Sequence, residues 1–132
     1  MTKIESEKQE CENSAERIFT HLSDFNNFKN LMPPQVTNWI STTDECSFVI
    51  NGMATIGMKI HNKIPNSKIE IVSHGKNPFS FTLNVLLSET APSKTTGQLV
   101  FEADLNAMLK MMVEKPLTNF FNMLAAKMKE IK

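Results

Sequence analysis

The stretch NAMLKMMVEKPLTNFFNMLAAKMKEIK, residues 106–132, decides the architecture. Leu109, Val113, Leu117, Phe120, Phe121, Leu124, Met128 and Ile131 recur in it at steps of three and four. That spacing gathers them on one stripe of a long helix. Asn106 suits the N-cap, because its side-chain oxygen can accept from a free amide of the first turn. Lys127, Lys129 and Lys132 stand near the other end, where cations suit the negative pole of the helix dipole. A helix of about two dozen residues runs roughly 35–40 Å at ~1.5 Å per residue. An apolar stripe of that length needs a surface to lie on.

The preceding residues supply one. From Val36 to Leu105 the apolar period changes from three-to-four to two. Six extended runs are expected, at Val36–Thr42, Cys46–Ile50, Ala54–Ile64, Ser67–His74, Phe79–Glu89 and Lys94–Asp104. Turn chemistry separates them: Thr43-Asp44, Asn51-Gly52, Pro65-Asn66, Gly75-Lys76-Asn77-Pro78 and Ala91-Pro92-Ser93. These gaps are too short for crossover helices, so the strands form an antiparallel meander with one apolar face. Strands this long must twist and curl. A two-residue loop at Asn51-Gly52 would pair Ile50 with Met53 and set Phe48 and Ile50 opposite to Ile56 and Met58. A three-residue loop or a bulge at Gly52 puts both sets inside and is the favoured arrangement. Trp39 breaks parity with Val36, Asn38 and Ile40, which leaves its face open.

Ahead of the meander, Asn13 with Glu16 three residues on reads as a capping box for a short helix carrying Ala15, Ile18, Phe19 and Leu22. Asp24 starts a second, with Phe25, Phe28 and Met32 on one side, and Pro33-Pro34 ends it. Thr2–Glu12 is rich in Lys, Glu and Gln, and its residues alone favour neither strand nor helix.

Composition bounds the function. The 132 residues suit one domain, and fourteen acids balance fourteen bases. A net charge of zero argues against nucleic acid as a partner and against an anionic membrane surface. No apolar run approaches the ~20 residues of a spanning helix, so stable membrane insertion is not expected. Cys11 and Cys46 have no metal-ligand spacing and read as two reduced thiols of a cytoplasmic protein. The charged N-terminus shows no signal peptide. Nine Met and nine Phe, with one Trp and no Tyr, make soft apolar bulk without hydroxyls.

The order of elements resembles that of the START-like, or SRPBCC, superfamily, the helix-grip fold of pollen-allergen proteins, lipid-transfer domains and polyketide cyclases. The resemblance is carried by Ser14-Ala-Glu-Arg-Ile-Phe-Thr-His-Leu-Ser-Asp24, by Thr95-Thr-Gly-Gln-Leu-Val-Phe-Glu-Ala-Asp-Leu105 and by the helix that follows. The chain looks like the small, single-domain bacterial members related to the polyketide cyclase/dehydrase and coenzyme Q-binding groups. The resemblance implies an α+β helix-grip domain over residues 1–132. That domain has a seven-stranded curved antiparallel sheet, two short helices after a first strand at Thr2–Glu12, and the long helix over the concave face. It also implies a hydrophobic cavity between sheet and helix, and it brings no universal catalytic signature.

Phe48, Ile50, Ile56, Met58, Ile69, Ile71, Phe81, Leu83, Leu99 and Phe101 would line that cavity from the sheet. Leu117, Phe120, Phe121 and Leu124 would close it from the helix. Asn38, Ser73, Thr95 and Asn119 are the polar groups that could orient a ligand there. Pro116 removes the helix bond to the Met112 carbonyl, so a kink or two consecutive helices are expected. It is either a harmless bend or a hinge that lifts Met108, Met111 and Met112 from the cavity mouth. His21, His61 and His74 share no metal spacing, and no nucleophile elbow, phosphate loop or dinucleotide fingerprint is present. Asp24, Asp44, Glu89 and Asp104 stand at element ends and read as caps or rim residues. No cofactor and no catalytic residue are expected. The leading reading is a binding or carrier protein for a lipid, isoprenoid quinone or polyketide-like compound, monomeric or weakly dimeric. The alternatives are a cyclase/dehydrase-type enzyme, which needs an ionisable group in the cavity, and an interaction module whose cavity is filled by its own Phe and Met.

Overall fold

The computed structural model describes residues 2–51, 54–75 and 77–131. Its strands are β1 (Thr2–Glu5), β2 (Gln9–Cys11), β3 (Val36–Ser41), β4 (Glu45–Ile50), β5 (Ala54–Ile64), β6 (Lys68–Ser73), β7 (Phe81–Ala91) and β8 (Lys94–Ala103). Its helices are α1 (Ala15–Leu22), α2 (Phe25–Phe28) and α3 (Ala107–Lys127), with 3-10 turns at Lys29–Leu31 and Met128–Glu130. The sheet is antiparallel in the order β1-β8-β7-β6-β5-β4-β3, and β2 continues the β1 lane along β8.

The first strand is therefore present but broken. Ser6, Glu7 and Lys8 oppose only Gln98 and Leu99, a bulge that bends the edge strand. The bulge is pinned from both sides. Ser6 N donates to Leu99 O at 2.9 Å and Ser6 Oγ accepts from Leu99 N at 2.9 Å. Glu7 N donates to Asn122 Oδ1 on α3 at 2.8 Å.

The cap of α1 differs from the expected capping box. Ser14, not Asn13, is the N-cap, its hydroxyl accepting from Arg17 N at 3.2 Å. Glu16 does not close the box; instead Glu89 of β7 reaches Ala15 N at 2.9 Å. A carboxylate from a strand thus meets the positive end of the helix. Asn13 is freed to donate from Nδ2 to Ile131 O at 3.0 Å, tying the chain ends together. Asp24 caps α2 as its sequence position suggests, accepting from Asn26 N at 2.9 Å.

Left-handed residues sit where the hairpins turn. Asn66 (φ 61°) and Ser93 (φ 59°) each follow a proline, and Ser67 N returns to Ile64 O at 3.1 Å. Asn38 (φ 54°) is different, because it lies inside β3 where the register with β4 shifts. That bulge resolves the parity conflict at Trp39. Its ring stacks on Phe48 at 5.3 Å while Ile40 turns outward. The Trp39 Nε1–H donates to Ser41 Oγ at 2.9 Å, and that hydroxyl donates to Asn26 Oδ1 at 2.7 Å.

At the β4–β5 connection Ile50 pairs with Ala54, Phe48 with Ile56 and Cys46 with Met58. Three residues separate the strands, so both apolar sets face inward as favoured, and a two-residue loop is ruled out. The bulge favoured at Gly52 lies outside the described residues, as do Met53, Lys76 of the next turn and Lys132.

The inward faces of the sheet, α1, α2 and α3 share one core. Asn106 caps α3 as expected, accepting from Leu109 N at 2.9 Å. The helix runs through Pro116 as one element, so the alternative of two consecutive helices does not occur.

Candidate functional site

The space between sheet and helix is nearly full. A void of about 20 Å³ remains, room for one water and no ligand. β4 and β5 bring Phe48, Ile50, Ile56 and Met58 to its wall; β7 and β8 bring Phe81, Leu83 and Phe101. α3 brings Leu117, Phe120, Phe121 and Leu124. Period-two and helical spacing deliver these side chains to one volume, and aromatic rings fill it. Phe101 meets Phe121 at 5.1 Å and Phe81 at 5.4 Å, Phe120 meets Phe121 at 5.4 Å, and Phe48 stacks over Phe120 at 6.5 Å. Edge and offset contacts of this kind add to the burial of the rings themselves.

Three expected lining residues stand elsewhere. Ile69, Ile71 and Leu99 are fully buried in the core, away from the void. Two wall residues were not among those expected, Met32 and Phe79. Phe79 shares the odd parity of Phe81 and Leu83, which would have found it. Met32 reaches the void from beyond α2, where the tertiary path alone puts it.

A second space opens beside the first. It is a cleft of about 530 Å³ between the first half of α3 and the end of the sheet. Leu109, Met112, Val113, Pro116 and Met123 form its helix side, and Ala54 and Pro78 lie across from them. Ile50, Phe79 and Phe120 belong to both spaces and form the partition between them. Gln35, Asn51 and Asn119 supply its polar groups.

Of the polar side chains read as ligand-orienting, only Asn119 lines this cleft. Thr95 is buried and donates to Asn13 O at 2.8 Å, holding the start of α1. Ser73 Oγ accepts from Phe81 N at 3.2 Å, and Asn38 is the exposed bulge residue of β3. Thr95 and Ser73 satisfy backbone, as short polar side chains often do.

Among the described residues, no ionisable side chain lines the void or the cleft. Glu89 caps α1, Asp24 caps α2, and Asp44 pairs with Lys63 at 3.8 Å on the surface. His74 stands 3.7 Å from Glu45, likewise exposed. Two groups carry perturbed acidities, and both are buried thiols. Burial pushes Cys46 up to about 12, and burial raises Cys11 against a smaller opposing pull from Lys129. A thiol shifted this way is inert rather than nucleophilic. Among the described residues no three His, Cys, Asp or Glu side chains come together as metal ligands. No helix among them is long and apolar enough to cross a membrane.

No family model matches the chain, and no curated protein matches its sequence. Solved structures do match in three dimensions. A START superfamily protein from Mycobacterium smegmatis superposes with a TM-score of 0.70 at 15% identity, over 98% of this chain and 99% of that one. A protein of Thermus thermophilus gives 0.73 at 12% identity, over 98% and 95%. The di-domain ARO/CYC BexL from the BE-7585A biosynthetic pathway gives 0.70 at 11% identity, over 99% of this chain and 46% of that one. Identities so low speak for the fold alone. Element order, strand register and these superpositions agree that the chain has a helix-grip fold, the one it shares with the START superfamily protein above.

Proposed function

We propose that the protein binds a hydrophobic small molecule, entering at the mouth cleft and reaching the interior when Phe79 and Phe120 part. One observation carries this reading. An open cleft and a wholly apolar interior share Ile50, Phe79 and Phe120 in their linings, so the two spaces adjoin at these residues. Its volume of about 530 Å³ falls within the range of small-molecule sites. Each 100 Å² of apolar ligand surface taken from water contributes about 2.5 kcal/mol before ordering costs. Lipids, isoprenoid quinones and polyketide-like compounds are the classes that fit. The lining supports carriage rather than catalysis, since proton transfer needs a titratable group within reach of the ligand. The two free, buried thiols suit a reducing compartment, and we place the protein in the cytoplasm as a monomer or weak dimer.

The test is mass spectrometry of an organic extract from protein purified without detergent. One compound at stoichiometric amount supports the reading and names its class. An empty extract, together with failure to bind the neutral dye Nile red, would overturn it.

A second reading is favoured by a specific pair of features. The interior holds almost no space, and Met108, Met111, Met112 and Met123 are exposed on α3. Soft methionine surfaces suit promiscuous protein contacts. An interaction module would keep its filled core in every state and bind its partner through these side chains. Replacing Met108 and Met111 with Ser would then abolish the contact and leave Nile red binding untouched.

A further inference from the structure

We infer that the compound held at the mouth carries a neutral hydrogen-bonding head, a carbonyl or hydroxyl of the quinone, phenol or alcohol kind. This rests on the binding reading above and adds the head-group chemistry of the ligand.

Three amide-bearing residues line the cleft, Gln35 and Asn51 from the end of the sheet and Asn119 from α3. The first two are held as a pair. Asn51 N donates to Gln35 O at 2.9 Å, one step beyond the Val36–Ile50 pairing of β3 and β4. Thr37 Oγ1 approaches Asn51 Oδ1 at 3.4 Å, which turns that oxygen toward the sheet and leaves the amide nitrogen as a donor. Asn119 is exposed, so the packing of α3 does not require an amide there.

An amide offers a donor and an acceptor without a charge. That matches a carbonyl or hydroxyl, which regains in the cleft the hydrogen bonds it loses in water. A carboxylate or phosphate would give up its hydration among Leu109, Met112, Val113 and Phe79 and meet only neutral dipoles. Among the described residues lining the cleft, none is a cation that could offset this loss. Lys110, on the same helix, is outside the lining and stands 4.0 Å from Glu114.

The test compares two ligands that share a tail, dodecan-1-ol and dodecanoate, at about pH 7.5, where the carboxylate is ionised. The readout is built in. Trp39 stacks on Phe48, which stacks on Phe120 of the partition, so its emission responds when the partition moves. The alcohol is expected to bind roughly tenfold or more tightly than the carboxylate. Asn119→Lys, at an exposed position, adds a cation to the lining and is expected to close or reverse that gap. Equal affinity, or tighter binding of the carboxylate to the unaltered protein, overturns the head-group assignment and leaves binding in place. Failure of both ligands and of Nile red takes down the binding reading and this one with it.

Discussion

Before Pro116, α3 buries one side chain, Val113, and half-buries Leu109, while Met108, Met111 and Met112 are 72%, 85% and 65% exposed. After Pro116 the same helix buries Leu117, Phe120, Phe121, Leu124 and Ala125, and Met128 follows in the next turn. Both halves carry the same apolar spacing, so periodicity does not explain the difference. What differs is the surface opposite. The second half lies on β1, β8 and the aromatic cluster, and the first half lies over an open cleft. An apolar stripe records where burial is possible; the neighbouring layer decides where it happens. Pro116 stands at the change, where the Met112 carbonyl has lost its helical donor.

The largest break in this comparison should come from the second half. Phe121→Ala removes a ring packed against Phe101 and Phe120, and the cavity left behind should lower stability by about 3–5 kcal/mol in denaturant melts. A loss below about 1 kcal/mol would mean that the second half is no better packed than the first.

The closed side should also answer to pH. Cys46 faces Met58 within the core, and burial raises it from 9.0 to about 12. Below pH 9.0 the thiol is protonated in both folded and unfolded chains and stability does not depend on it. Between pH 9.0 and about 12 the unfolded chain gives up the proton and the folded one keeps it. Stability should then fall with rising pH by about 1.4 kcal/mol per unit at most, and Cys46→Ala should flatten that slope. Melts across that window measure it, and an unchanged slope in the variant would show the thiol open to solvent.

Pro116→Ala sharpens the boundary itself. Restoring the helical bond should stabilise the fold by about 1 kcal/mol, the helix gain being partly offset by the freer unfolded chain. Amide exchange over residues 107–115 should slow, and a bound neutral ligand should leave more slowly. A stabilised variant with unchanged ligand exchange would reduce Pro116 to a bend. The smallest effect is expected from the exposed half. Met111→Ser should change stability by less than about 0.5 kcal/mol, because the side chain is already in water.

Much of the molecule is legible in the sequence. The meander needed only turn chemistry and gaps too short for crossovers, because hairpin connection is a local property. Most of the void's lining followed from parity on the strands and spacing on the helix, since a side chain's face is set by the period of its own element. Parity does not carry across an interruption. It leaves the face of Trp39 open because the left-handed turn at Asn38 is a backbone event with no clear sequence signal. The cap of α1 was misplaced by one residue because Glu89, distant in sequence, supplies the carboxylate that Glu16 was expected to provide.

By itself the sequence determined the α+β class, the order of elements, the two faces of the sheet and the stripe of the long helix. All of these rest on local periods and turns. Tertiary structure alone decided that the interior is full, that the open space lies at the mouth, and that Phe79, Phe120 and Ile50 divide the two. Volume between layers depends on how far strands curl and how rings from distant segments interlock, and no local pattern encodes that distance. Tertiary structure also brought Gln35, Asn51 and Asn119 to one cleft, from positions with no common period.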